Sequence, residues 1–115
     1  MKKKEIVKDS NDFTRIIKKR NGSVNKSYIV NYEINKEDKT LFGITFVHNI
    51  GNAVLRNKLK RRTKQIIDNN KKIFKKGRNY IIIIRKEAIN KSYQDLESDL
   101  CILFHNLKEK KDEEK

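Results

Sequence analysis

Between Ile50 and Ile67 the sequence reads Ile-Gly-Asn-Ala-Val-Leu-Arg-Asn-Lys-Leu-Lys-Arg-Arg-Thr-Lys-Gln-Ile-Ile, with Arg56, Lys58, Lys60, Arg61, Arg62 and Lys64 and no carboxylate. Cations without acids to neutralise them attract phosphate. At helical spacing Leu55, Leu59, Ile66 and Ile73 form one stripe, while Arg56, Asn57, Lys60, Arg61 and Lys64 spread over the far side. One face of such a helix is suited to a core and the other to a polyanion.

Groups for hydrolysis are scarce by comparison. Asp95 and Asp99 share a helical face, but a lone pair of this kind is common on amphipathic helices, and Glu97 points away from both. His48, just ahead of the basic segment, is suited to donating to phosphate or to packing, and no second histidine lies near it in sequence to build a proton relay. His105 sits among Leu103, Phe104 and Leu107 and reads as structural. Cys101 is the only cysteine, which excludes an intrachain disulfide and a cysteine zinc site and leaves it a small apolar filler. Phe13, Tyr28, Tyr32, Phe42 and Phe46 offer rings on which bases stack. Of these, Phe42 and Phe46 read as core, and Tyr28 and Tyr32 share one face of a strand.

The bulk properties agree with a polyanionic partner, nucleic acid by default. Lys and Arg number 29 against 15 Asp and Glu in 115 residues, a net charge of +14, and the positive charges cluster. A spanning helix needs about 18 apolar residues, which no run approaches, and the basic helix has no aromatic wedge for a membrane surface. Met1-Lys2-Lys3-Lys4 is followed by Glu5, Lys8 and Asp9 where a signal peptide would turn apolar. The expected setting is cytoplasmic, with no membrane.

These residues need elements to position them. Ser10, Asn11 and Asp12 cap a first helix carrying Phe13, Ile16 and Ile17. Asn21-Gly22 signals a turn, and alternation from Tyr28 to Glu33 predicts a strand. Leu41 to His48 predicts a second strand, expected to close an antiparallel hairpin over residues 24 to 48. Asn52 caps the basic helix, expected from Ala53 to about Phe74, with Gly77 as terminator. Tyr80-Ile81-Ile82-Ile83-Ile84 is apolar on both sides and predicts a central strand. Ser92 caps a last helix carrying Leu96, Leu100, Leu103 and Leu107. The expected architecture is one α+β domain, an α/β sandwich in the order α-β-β-α-β-α. It occupies residues 9–107, between a basic extension at 1–8 and a charged tail at 108–115.

Gly51-Asn52-Ala53-Val54 followed by Arg56-Asn57-Lys58-Leu59-Lys60-Arg61 resembles the signature of the protein subunit of bacterial ribonuclease P. Asn11-Asp12-Phe13 with Ile16 and Ile17, Gly43, Tyr80 to Arg85 and the last helix resemble that family in place, from about residue 9 to 107. The sequence departs at Val47-His48-Asn49, where the family commonly has Ser-Lys-Lys, and at Lys58 and Lys64, where arginine is usual and a planar fork becomes a point charge. Ile17 takes a position that is often aromatic.

The resemblance implies a ribosomal-protein-S5-domain-2-like fold with a left-handed β-α-β crossover, against the general right-handed preference. It also implies a ribonucleoprotein that removes the 5′ leader of precursor tRNA by Mg2+-dependent hydrolysis at its RNA subunit, with no catalytic residue or metal ligand in the protein. Asn52, Arg56, Asn57, Lys58, Lys60, Arg61 and Lys64 would contact ribonuclease P RNA. Phe13, Ile17, Tyr32 and His48 would line the leader cleft, and no protein oligomer is required. A non-enzymatic RNA-binding protein of ribosomal or RNA-assembly type is the alternative that charge and fold class alone would equally suit.

Overall fold

A strand apolar on both faces must have a neighbour on each edge and a layer on each side. Arg78–Ile84 meets that requirement in a computed structural model that describes residues 6–7, 10–19, 22–35, 37–47, 50–74 and 76–109. Helix α1 (Ser10–Lys19) leads into strands β1 (Gly22–Val24), β2 (Tyr28–Ile34) and β3 (Thr40–Phe46). Helix α2 (Ala53–Asn69), strand β4 (Arg78–Ile84) and helix α3 (Tyr93–Glu109) follow, with short 3-10 turns at Lys71–Ile73 and Lys86–Asn90. The four strands form one sheet in the order β1-β2-β4-β3.

The expected hairpin between β2 and β3 is not formed. β4 lies between them, antiparallel to β2 with Tyr32 opposite Tyr80, and parallel to β3 with Phe42 beside Tyr80. The reason is in β4 itself: a strand with no polar face belongs in the middle, so the two half-polar strands take its flanks. The hairpin that does form joins β2 to the short β1, with Gly22 opposite Asn31. Its turn is held by Asn25, whose Oδ1 accepts from the backbone N–H of Ser27 at 3.1 Å and of Tyr28 at 3.0 Å.

Strand alternation sorts the side chains into two cores. Tyr28, Val30, Tyr32, Phe42, Tyr80, Ile82 and Ile84 pack with Leu59, Ile66 and Ile67 of α2 and Leu96, Leu100, Leu103, Phe104 and Leu107 of α3. The opposite face is smaller, with Val7, Ile16 and Ile81 buried and Phe13, Ile17, Leu41 and Ile83 around them. Three layers result: α1, the sheet, and α2 with α3. Phe74 meets Phe104 edge-on at 4.4 Å and Phe42 at 4.8 Å, tying the segment after α2 to α3 and β3.

The basic helix is shorter than expected. It ends at Asn69, where Asn70 donates from its backbone N–H to the Ile67 carbonyl and from its side chain to Ile66 O at 2.8 Å. Gly77, with φ +81°, forms the turn into β4 and is not the helix terminator. Residues 6 and 7 of the expected N-terminal extension already pair with the sheet, and α3 continues to Glu109, past the expected boundary at 107. The rest of the expected tail lies outside the described residues.

Candidate nucleic-acid interface

The interface begins at the first turn of α2. Gly51 takes φ +58°, which places Asn52 to cap the helix: its Oδ1 accepts from Leu55 N at 2.9 Å, and its carbonyl accepts from Arg56 N at 2.9 Å. The Asn52 side chain is thus occupied in setting the direction of the helix. Leu59, Thr63, Ile66 and Ile67 form the buried stripe, with Thr63 at a core position that its polarity disguised. Its hydroxyl lies 3.0 Å from Tyr28 Oη, and burial pushes the Tyr28 phenol up to about 12 despite that bond.

Anchored in this way, α2 turns Arg56, Asn57, Lys58, Lys60 and Arg61 to solvent and leaves Lys64 half-buried. Arg56 Nη1 donates to the Gly51 carbonyl at 3.3 Å, folding its guanidinium back over the helix entrance. Val54, Asn57, Lys60, Arg61 and Lys64 line an open depression of about 560 Å³ along the outer face. Val54 is 78 % exposed there, an apolar contact on an otherwise cationic surface.

Lys60 and Lys64 also overhang a second concavity, a groove of about 160 Å³ lined by Ile6, Val7, Phe13, Phe42 and Ile44. It follows the outer edge of β3, which is the last strand of the sheet. Val7 covers part of that edge by donating its N–H to the Phe42 carbonyl at 2.9 Å. Phe13 reaches the groove from α1. Its position depends on Gly43, because a Cβ there would lie 2.5 Å from Phe13 Cζ and 2.8 Å from Ile81 Cδ1.

α1 is fixed to the sheet by charge. Arg15 Nε donates to Glu33 Oε1 at 3.0 Å, Arg15 Nη2 to Glu33 Oε2 at 2.5 Å, and Asn79 Nδ2 to the same Oε2 at 3.1 Å. Lys19 Nζ lies 3.2 Å from Glu33 Oε1. The Arg15 hydrogen bonds hold the Glu33 carboxyl down at about 2 against the upward push of burial, with Asn79 and Lys19 assisting.

Of the four residues expected to line a leader cleft, Phe13 is one that lines this groove. Ile17 lies partly buried in the small core beneath α1 and does not line the groove. Tyr32 is a correction: it is 5 % exposed, on the opposite face of the sheet from Phe13, with its ring under the Arg78 guanidinium at 4.1 Å. Tyr28 is fully buried on that face too, so the sheet presents no tyrosine surface. The β2 residues on the face of Ile81 and α1 are Ile29, Asn31 and Glu33. His48 lies outside the described residues.

Ile6, Val7 and Ile44 were not anticipated as groove residues. The one signal in the sequence was indirect, since a sheet in which β4 is central leaves β3 with a free edge. Ser27 Oγ donates to Asp99 Oδ2 at 2.5 Å and Asn70 Nδ2 to Glu97 Oε2 at 2.9 Å, so these two carboxylates serve the docking of α3, while Ser92 Oγ caps the helix by accepting from the backbone N–H of Asp95 at 3.1 Å. His105, expected to be structural, is exposed. The Cys101 thiol is pushed up, first by burial and then by Glu97. Among the described residues no cluster of His, Cys, Asp and Glu can hold a metal ion, and no helix is long and apolar enough to cross a membrane.

The model of the family described as Ribonuclease P matches residues 1–108. The chain belongs to the ribonuclease P protein family. Its relatives include the ribonuclease P protein component of Bacillus cereus strain AH187, 33 % identical over 106 residues, which cover 90 % of this chain and 91 % of that one. The solved ribonuclease P protein of Staphylococcus aureus superimposes with a TM-score of 0.78 at 30 % identity, covering 86 % of this chain and 91 % of that one. For that of Thermotoga maritima the TM-score is 0.80 at 27 % identity, covering 89 % and 96 %. Membership in the ribonuclease P family makes this chain the protein component of a ribonucleoprotein endoribonuclease of tRNA processing, with an RNA partner. The ribonuclease P signature residues Gly51 to Arg61 are those that build the start of α2 and its cationic face.

Proposed function

We propose that α2 docks on ribonuclease P RNA through Arg56, Asn57, Lys58, Lys60, Arg61 and Lys64, oriented by the Asn52 cap, while the groove along β3 takes the 5′ leader of precursor tRNA. The observation that carries this reading is the double placement of Lys60 and Lys64, which line both the outer depression of α2 and the groove that holds Phe13. A leader strand in the groove meets the Phe13 ring and Ile44 with its bases, and Lys60 and Lys64 with its phosphates.

The protein's part is electrostatic. Cations fixed on a folded helix offset the repulsion between leader and catalytic RNA without being recruited from solution. Phosphodiester hydrolysis requires Mg2+ held at the RNA. The described residues do not fit a protein metal site, because Glu33 is consumed by Arg15 and Lys19 and Asp99 by Ser27. No protein step therefore passes through the metal. The compartment is the cytoplasm, where precursor tRNA is made.

Cleavage of a leader-bearing precursor tRNA by a bacterial ribonuclease P RNA at limiting Mg2+, with and without this protein and beside a protein-only control, tests the reading. Stimulation that needs both the RNA and the leader is expected. Binding without stimulation would favour an RNA-assembly protein, and cleavage by protein alone would overturn both.

A further inference from the structure

Residues 58 and 60 are separated by about 200° around a helix about 10–12 Å across, so Lys58 and Arg62 face away from the groove that Lys60 and Lys64 overhang. They face α3. There Lys58, Arg61, Arg62, Gln65 and Tyr93 line an open shelf of about 350 Å³. Among the described residues no carboxylate pairs with its three cations.

The tyrosine on this shelf is positioned by a relay of amides. Gln65 Nε2 donates to Asn69 Oδ1 at 3.2 Å, and Asn69 Nδ2 donates to Tyr93 Oη at 3.1 Å. Tyr93 Oη is the acceptor in that bond, so its own O–H remains available as a donor. The inner part of the ring packs on the main core, which fixes its plane. A half-buried ring with an oriented hydroxyl beside three unpaired cations has the features that take one unstacked base and its phosphates.

We propose that Lys58, Arg62 and Tyr93 form a subsite for an unpaired nucleotide of an RNA strand other than the one in the groove. This inference rests on the RNA-binding reading and adds a second point of attachment to it. The shelf and the groove lie on opposite sides of α2, so the helix stands between two RNA segments. We assign the second segment to the RNA subunit, the partner that the family supplies, and the assignment requires that this contact be made with or without a leader.

The test uses full-length protein and a bacterial ribonuclease P RNA transcript, first without precursor tRNA. Arg62→Gln and Tyr93→Leu are each expected to weaken RNA binding by about 10-fold, while Tyr93→Phe, which keeps the ring, stays within about 3-fold of the wild type. The holoenzyme's preference for a precursor with a leader over one without is expected to be unchanged in all three. Wild-type affinity in Arg62→Gln would overturn the subsite, as would a loss confined to leader discrimination, which would assign these residues to the groove. Equal loss in Tyr93→Phe and Tyr93→Leu would overturn the stacking platform. If Tyr93→Leu fails to fold by circular dichroism, Arg62→Gln decides. Absence of binding by the wild type would count against the RNA-subunit reading and would be recognised before any variant is compared.

Discussion

Phe13 of α1 occupies the space that a side chain on Gly43 of β3 would need. The Cβ of any residue there would fall 2.5 Å from Phe13 Cζ, so the ring lies directly over the backbone of the edge strand. An aromatic wall beside the proposed leader site thus depends on a missing methyl group three elements further along the chain.

Gly43→Ala is predicted to push Phe13 outward, narrowing or reshaping the groove. Overpacking of this kind costs about 1–3 kcal/mol. The measurement is paired: thermal melting for stability, and holoenzyme affinity for precursor tRNA with and without a leader. Both the melting temperature and the leader-dependent gain are expected to fall; an unchanged leader-dependent gain would separate Phe13 from leader binding.

Glu33 makes stability depend on acid in a particular window. Its carboxyl goes from the ordinary 4.5 to about 2 on folding, so the folded state favours the ionised form. The stabilisation is complete above pH 4.5, declines as pH falls through the interval to about 2, and is absent below it. Glu33→Gln is predicted to cost about 1–3 kcal/mol at neutral pH. Urea unfolding of both proteins across the acid range should show the difference between them shrinking as pH falls. A constant difference would mean that the Arg15 and Lys19 contacts act by packing alone.

Thr63→Val keeps the shape of the α2 stripe but removes the partner of a buried phenol. Leaving Tyr28 Oη unsatisfied is predicted to destabilise by about 1–3 kcal/mol, measured by chemical denaturation. Adding Tyr28→Phe to that variant should recover much of the loss, since both polar groups are then gone. No recovery would place the effect elsewhere.

Arg56→Ala with Arg61→Ala is predicted to weaken binding to ribonuclease P RNA and to flatten its salt dependence. Each phosphate contact removed lowers the slope of log affinity against log salt by about 0.7 to 0.9. Titrations at several salt concentrations measure it, with circular dichroism showing an intact fold. An unchanged slope would remove these two arginines from the phosphate-contacting set.

Much of this arrangement is legible from residue types, and the failures are instructive. The α2 cap, its cationic face and the central position of β4 follow from Asn52, from the run Arg56 to Lys64 and from Tyr80 to Ile84. Pairing β2 with β3 treated neighbours in sequence as neighbours in space, although an apolar β4 already required a strand on each side. The misplacement of Tyr32 came from reading aromatic type without strand parity. Glu33 is adjacent, and its partners Arg15 and Lys19 on α1 put the odd residues of β2 on the α1 face and Tyr32 on the other. The groove's Ile6 and Val7 carry no periodic signal, because a single bridge to β3 is too short to leave one.

The placement of β4 between β2 and β3 also dictates when the sheet can exist during synthesis. Neither flanking strand bonds to the other, so a chain that has left the ribosome only as far as Asn69 can pair no more of this sheet than the small β1–β2 hairpin. The basic helix, lacking the β4 layer on which its stripe packs, then emerges as an unanchored polycation beside ribosomal RNA. Until Arg78 to Ile84 arrive, those cations have no sheet to orient them, so the cationic face takes its final direction only once β4 is in place.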